Sequence, residues 1–230
     1  MSRWRLPAAA LAGGIIGAGA MWSLDQARGG AVGPQVRDYL LAHPEVIPEA
    51  MTRLQDRENA KLVAQHREAI VKPYASAWAG NPRGDVTVVE YLDYNCGYCR
   101  AALPVVAQLI ARDPQVRVVY RELPVLAESS RAAARASLAA AAQGKHARFH
   151  EALYAGGPVT SASIAAASRA AGIDPARVPA NAQAELDRNL EVARTLGFSG
   201  TPSWVIGDRI LSGAQPLEAL EAAVKAARGD

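Results

Sequence analysis

At 230 residues, 50% apolar and 20% charged, the chain is large enough to bury a core without disulfide staples. Its net charge of +3 is small and no dense basic run occurs, so the composition offers nothing to nucleic acid. The only two cysteines, Cys96 and Cys99, cannot build a disulfide framework, so their value is chemical.

The chain opens on Arg3 and Arg5, followed by an uncharged Ala- and Gly-rich run over residues 6–24. Within it, Ala18-Gly19-Ala20 has the small-residue character of a cleavage site. Residues 1–24 are therefore expected to be a signal peptide or a membrane anchor. Either one places the body in the periplasm or otherwise outside the cytoplasm, where disulfide chemistry is normally needed. Residues 25–33 read as a linker. Over residues 35–70, Val36, Tyr39, Leu40, Ile47, Met51 and Leu54 recur at helical spacing. His43-Pro44 and Ile47-Pro48 interrupt the pattern, which predicts two or three helical pieces. Such a segment (34–72) is too short to bury its apolar stripe alone. It is expected to form a homo-oligomer, with packing back onto its own domain as the alternative.

Residues 73–85 are turn-rich and lead into a short β-branched strand over 86–91. A helix follows from Cys96 to about Arg112, with Pro104 in its interior, and then a second strand over 116–120. The order strand, helix, strand predicts a parallel crossover. From about 127 to 197 the pattern is helical throughout. It has a helix over 128–142 with Ser129 or Ser130 as N-cap, helices over 145–154 and 161–171, a helical start at Asp174-Pro175, and a helix over 181–196. Two short apolar runs, 203–206 and 209–211, are joined by Gly207-Asp208 as a hairpin, and an amphipathic helix over 216–227 closes the chain.

The chemistry concentrates in residues 90–99. A thiol reacts as its thiolate, and a helix start favours negative charge at Cys96. Cys99, one turn on, is placed to attack a mixed disulfide formed at Cys96. A metal site is the competing reading and needs two further ligands. His146 and His150 share a helix face, but lie far from Cys99 in an apolar helix beside Phe149, as packed structural histidines do.

With Cys96-Gly97-Tyr98-Cys99, Pro104, Gly200-Thr201-Pro202 and Glu90 six residues before Cys96, the chain resembles the DsbA-like branch of the thioredoxin superfamily over roughly residues 73–228. The resemblance implies an α/β thioredoxin fold spanning 73–230 with an inserted all-helical domain, preceded by the N-terminal helical segment. It implies a thiol–disulfide oxidoreductase or isomerase acting on cysteine-bearing protein substrates, with Cys96 as nucleophile and Cys99 as resolving thiol. Glu90 would be the buried acid that relays a proton to or from Cys99. Gly97, Tyr98, Thr201 and Pro202 would contact substrate, and the Thr201–Pro202 bond would be cis. No cofactor and no metal is called for, and a membrane redox partner is expected. Where the family's namesake carries histidine before its second cysteine, this chain has Tyr98, which has no positive charge to support the Cys96 thiolate. A less oxidising pair is expected. Residues 35–70 also resemble the leader of oligomeric members, including the suppressor-of-copper-sensitivity group. A reductant fed by a membrane donor, and a metal-binding or chaperone module, remain as alternative readings.

Overall fold

The computed structural model describes residues 32–229. The expected signal or anchor, residues 1–24, and most of the predicted linker therefore lie outside the described residues. The chain divides after Leu54 into two units.

The first unit is helical where it is described. Helix α1 runs through residues 32–42, and α2 (Val46–Val71) begins after a turn at 43–45. The described pieces number two, because only His43-Pro44 breaks the helix. Pro48 falls in the first turn of α2, where a missing N–H forfeits no intrahelical bond. Val36, Tyr39, Leu41, Ile47, Met51 and Leu54 are each half or more exposed. Among the described residues, no helix is long and apolar enough to cross a membrane.

The second unit is built on a sheet of β1 (Trp78–Gly80), β2 (Val86–Leu92), β3 (Val116–Glu122), β4 (Ser203–Ile206) and β5 (Arg209–Ser212) in the order β1-β3-β2-β4-β5. Helix α3 (Gly97–Arg112) carries the crossover from β2 to its parallel neighbour β3, and the other pairs are antiparallel. Between β3 and β4 come α4 (Glu128–Ala142), α5 (His146–Ala155), α6 (Ser161–Ala171) and α7 (Ala182–Thr195), and α8 (Leu217–Arg228) ends the chain. This is a thioredoxin fold with a helical insertion and helices at its N-terminal side.

Alternation along the strands separates two apolar layers. Val86, Val88, Leu92, Val118 and Tyr120 pack with α3, α8 and the insertion. Val89, Tyr91, Val119 and Val205 face the other way, onto Val63 and Ile70 of α2 and Val192 and Ala193 of α7. The later part of α2 thus covers the sheet. Arg121 holds it there from β3, donating to the Ile70 carbonyl at 3.1 Å and the Lys72 carbonyl, and pairing with buried Glu185 of α7.

Three local expectations change. Strand β1 arises inside the stretch read as turns; it is three residues long and exists by pairing with β3. No helix starts at Asp174-Pro175: Asp174 accepts from Ala176 N at 3.0 Å in a turn, and Pro179 stops any helix from propagating. The N-cap of α4 is Ala127, and Ser130 instead accepts from the Ala127 N–H at 3.2 Å from inside the first turn.

The approach of residue 84 to the end of β3 requires glycine. A Cβ there would meet the Gln115 carbonyl oxygen at 2.4 Å and Arg117 N at 2.7 Å, both backbone atoms that cannot swing aside. Gly84→Ala is expected to cost about 1–3 kcal/mol, a fall of about 2–4 °C in Tm per kcal/mol. A thermal melt by circular dichroism reads it, and an unchanged Tm would contradict the packing.

Candidate active site

Strand β2 ends at Leu92, and four residues later α3 begins with Cys96 as its N-cap. The turn between them is set by Asp93, which is 1% exposed. Its Oδ1 accepts from Asn95 N at 2.9 Å and Ser130 Oγ at 2.7 Å, and its Oδ2 accepts from Val125 N at 2.9 Å and Leu126 N at 3.0 Å. Its carbonyl takes the Cys96 N–H at 2.9 Å and the Tyr154 hydroxyl at 3.2 Å. Sequence reasoning missed this residue. Its signal is an acid two positions before asparagine, just past a strand end, a pattern that favours local side-chain to backbone bonds.

The two cysteines are free thiols, Cys96 6% and Cys99 1% exposed. The S–H of Cys96 donates to the Thr201 carbonyl at 3.1 Å, so the loop before β4 lies against the dithiol across 105 positions of sequence. The Thr201–Pro202 bond is cis. Trp204 braces this loop from the core, its indole N–H donating to the Gly213 carbonyl at 3.0 Å, while Gly213 N donates to the Pro202 carbonyl at 2.8 Å. The Thr201 hydroxyl is buried without a hydrogen-bond partner. Gly97 and Tyr98 are exposed, Tyr98 at 68%. The structure thus brings Cys96, Cys99, Thr201 and Pro202 together, with Gly97 and Tyr98 on the rim.

Glu90 lies on the central strand β2, paired in register with Tyr120 and Trp204 and 3% exposed. Burial, then the charge on Cys96, then Glu122 push its carboxyl up to about 8, so near neutrality it holds its proton. Burial first, and then Glu90, push the Cys99 thiol well above its ordinary value. Glu122, another residue the sequence reading missed, is equally buried and is pushed up to about 8, chiefly by burial. A dithiol over such acids stays protonated at its inner sulfur.

His146 and His150 are buried, as their apolar helix suggests. Their rings lie 5.3 and 4.6 Å from Tyr120, and Tyr94 Oη lies 3.1 Å from His150 Nδ1. Burial takes His146 down to about 4 and His150 well below its ordinary value, so both are neutral at physiological pH.

Fold and dithiol together define a redox protein that works by thiol–disulfide exchange. Residues 87–225 match the DSBA-like thioredoxin domain, and residues 31–61 match the copper resistance protein ScsC N-terminal domain. The chain belongs to the DsbA-like thioredoxin domain family and is a protein thiol–disulfide oxidoreductase. Among solved structures, it is 40% identical to a thioredoxin-like oxidoreductase from Silicibacter pomeroyi DSS-3, with 71% of this chain and 98% of that one covered and a TM-score of 0.67. A periplasmic thioredoxin-like protein from Salmonella enterica serovar Typhimurium is 32% identical over 71% of this chain and 96% of its own, TM-score 0.66. The catalytic domain of Proteus mirabilis ScsC is 30% identical over 74% and 99%, TM-score 0.69. Two curated relatives, Na(+)/H(+) antiporters NhaA of Salinispora tropica and Salinispora arenicola, are 31% identical over 156 residues, and the chain spans 24% of their length.

The raised carboxyls dictate a direction for stability. Below pH 4.5, Glu90 is protonated whether folded or not. Between about 4.5 and 8, the unfolded chain releases a proton that the folded chain retains, so stability falls across that window and levels off above it. Glu90→Gln has no proton to release there. Wild type is expected to lose stability relative to this variant from pH 5 to 8, by on the order of a few kcal/mol. Tm measured across pH 4–9 checks it, and parallel curves would show that Glu90 titrates as an ordinary carboxyl.

Proposed function

We propose that this chain exchanges disulfides with cysteine-bearing protein clients in the periplasm, resting as the dithiol and acting mainly as an isomerase through Cys96-Gly97-Tyr98-Cys99. One observation carries the reading: the Cys96 thiol sits at a helix N-cap against the Thr201 carbonyl, with Cys99 buried one turn behind it.

The Cys96 thiolate attacks a client disulfide, forming a mixed disulfide and releasing one client thiolate. A second client thiol can then attack elsewhere in the client, regenerating Cys96. Alternatively, Cys99 gives its proton to ionised Glu90 and attacks the Cys96 sulfur, closing the enzyme disulfide and releasing the client reduced. Burial holds the Cys99 proton firmly, and Glu90 is protonated below about pH 8, so the escape through Cys99 is slow. The mixed disulfide therefore lasts long enough for the client to rearrange. Tyr98, with no positive charge, adds no support for a strongly oxidising pair. Exposed Tyr98 and Gly97, with Thr201 and Pro202, form the client-contacting rim. A membrane redox partner keeps the pair reduced, and the same protonated Glu90 also suits the second reading, a reductant of particular client cysteines.

The exposed stripe of Val36, Tyr39, Leu41, Ile47, Met51 and Leu54 supports a homo-oligomer built through the N-terminal segment. The match of residues 31–61 to the ScsC N-terminal domain supports the same assignment. Residues 1–24 serve as the export signal or anchor.

Cys96→Ala is expected to abolish insulin reduction and the refolding of scrambled substrates, whereas Cys99→Ala accumulates mixed disulfides with clients on non-reducing gels. Full activity in Cys96→Ala would refute the exchange mechanism. Deleting residues 32–54 is expected to reduce the assembly to monomer by light scattering, with Tm of the remaining domain little changed. An unchanged number of subunits would sink the oligomer assignment.

A further inference from the structure

The acid expected to serve Cys99 is not alone. Strands β2 and β3 run parallel with Glu90 opposite Tyr120 and Leu92 opposite Glu122, so the two glutamates sit two positions apart on adjacent strands. Alternation puts Val88, Glu90 and Leu92 on the same sheet face as Val118, Tyr120 and Glu122, and their apolar members belong to one core cluster. Diagonal neighbours of this kind lie within reach of long side chains. Both glutamates are 3% exposed.

We propose that Glu122 and Glu90 form a coupled carboxyl pair, with Glu122 setting how readily Glu90 takes the proton from Cys99 and gives it back. The inference rests on the exchange reading above and assigns Glu122 a part in it, acting through Glu90.

One further buried acid bears on the pair. From the turn after β2, the Asp93 carboxylate, held by four donors, raises Glu122 through its charge, and Tyr94 Oη lies 3.0 Å from Ser137 Oγ of α4 and 3.1 Å from His150 Nδ1 of α5. Burial holds Tyr94, Tyr120 and Tyr154 protonated, and holds His146 and His150 neutral. On α3, Cys99 keeps its proton to high pH. Cys96, whose sulfur is directed to the Thr201 carbonyl, also acts on Glu90 through its charge, ahead of Glu122. Arg121, the cation next to Glu122 in the chain, belongs to the opposite sheet face, where it pairs with Glu185. The Ser137 and Tyr94 hydroxyls favour the ionised form of Glu122, opposing its burial.

Two carboxylates in one desolvated site cannot both ionise freely, so their protons leave in two steps that belong to the pair. When Cys99 attacks, its proton moves to Glu90, the Cys96–Cys99 bond forms and the Cys96–client bond breaks. The client leaves as a thiolate that takes a proton from water. A charge on Glu122 makes Glu90 the stronger base for this transfer. A neutral Glu122 leaves Glu90 the weaker base.

The test uses the full chain with 13Cδ-labelled glutamate, titrated by NMR from pH 5 to 10 in wild type, Glu122→Gln and Glu90→Gln. In Glu122→Gln the Glu90 midpoint is expected to fall by about one pH unit, and in Glu90→Gln the Glu122 midpoint falls reciprocally. The pH profile of the Cys99-dependent release of a trapped client moves in the same direction in Glu122→Gln. Unmoved midpoints and an unmoved profile would overturn the proposal, and a merely structural Glu122 would give that result. Should Glu122→Gln fail to fold, the Glu122 midpoint in Glu90→Gln reads the same coupling. Coupled midpoints without any exchange activity would refute the proposed function instead.

Discussion

A single desolvated carboxylate organises the site. Asp93 is buried with no ion pair among the described residues, and it is satisfied instead by four hydrogen bonds, three of them with donors outside its own turn. The chain passing from β2 into α3 and the chain passing from β3 into α4 both end on it. An unpartnered buried carboxylate is costly, so these segments hold together or the site does not form. Cys96 becomes an N-cap because its own N–H is drawn onto the Asp93 carbonyl. Ser130 and Tyr154 carry the same constraint into the helical insertion, so the insertion is part of the site's frame.

Beneath that frame the electrostatics run opposite to what a helix N-terminus alone suggests. Backbone donors at the start of α3 favour negative charge at the outer sulfur. The inner sulfur has lost its water and lies near buried Glu90, and both conditions keep it protonated. The asymmetry between the cysteines therefore arises from depth in the core and from the acid on β2. The residues between the cysteines, Gly97 and Tyr98, bring no cation to the site, and Tyr98 is 68% exposed.

Much of this was legible in residue order. The spacing of Cys96 and Cys99, Pro202 after Thr201, and Glu90 six positions upstream are local patterns. So are the strands expected at 86–91 and 116–120, whose β-branched runs admit few alternatives and which the fold extends to Leu92 and Glu122. Other features had no local signal. Strand β1 depends on an edge that β3 offers, and the helix expected at Asp174-Pro175 fails because Pro179 follows too soon. Glu122 reads as an ordinary acid at a strand end, and the turn signature at Asp93 announces its local bonds but not its burial. Nothing nearby in the chain says that each will lose its water.

By itself, the sequence determined the class of chemistry, since a lone Cys-x-x-Cys pair at a helix start has few other uses and proline restricts the backbone wherever it stands. Tertiary structure alone decided the proton affinities, because desolvation depends on what packs over a residue from distant elements. It also decided that the later part of α2 covers the sheet while the stripe before Leu54 stays exposed. An amphipathic period states that a helix has an apolar face, and only the packed fold shows which part of that face has been covered.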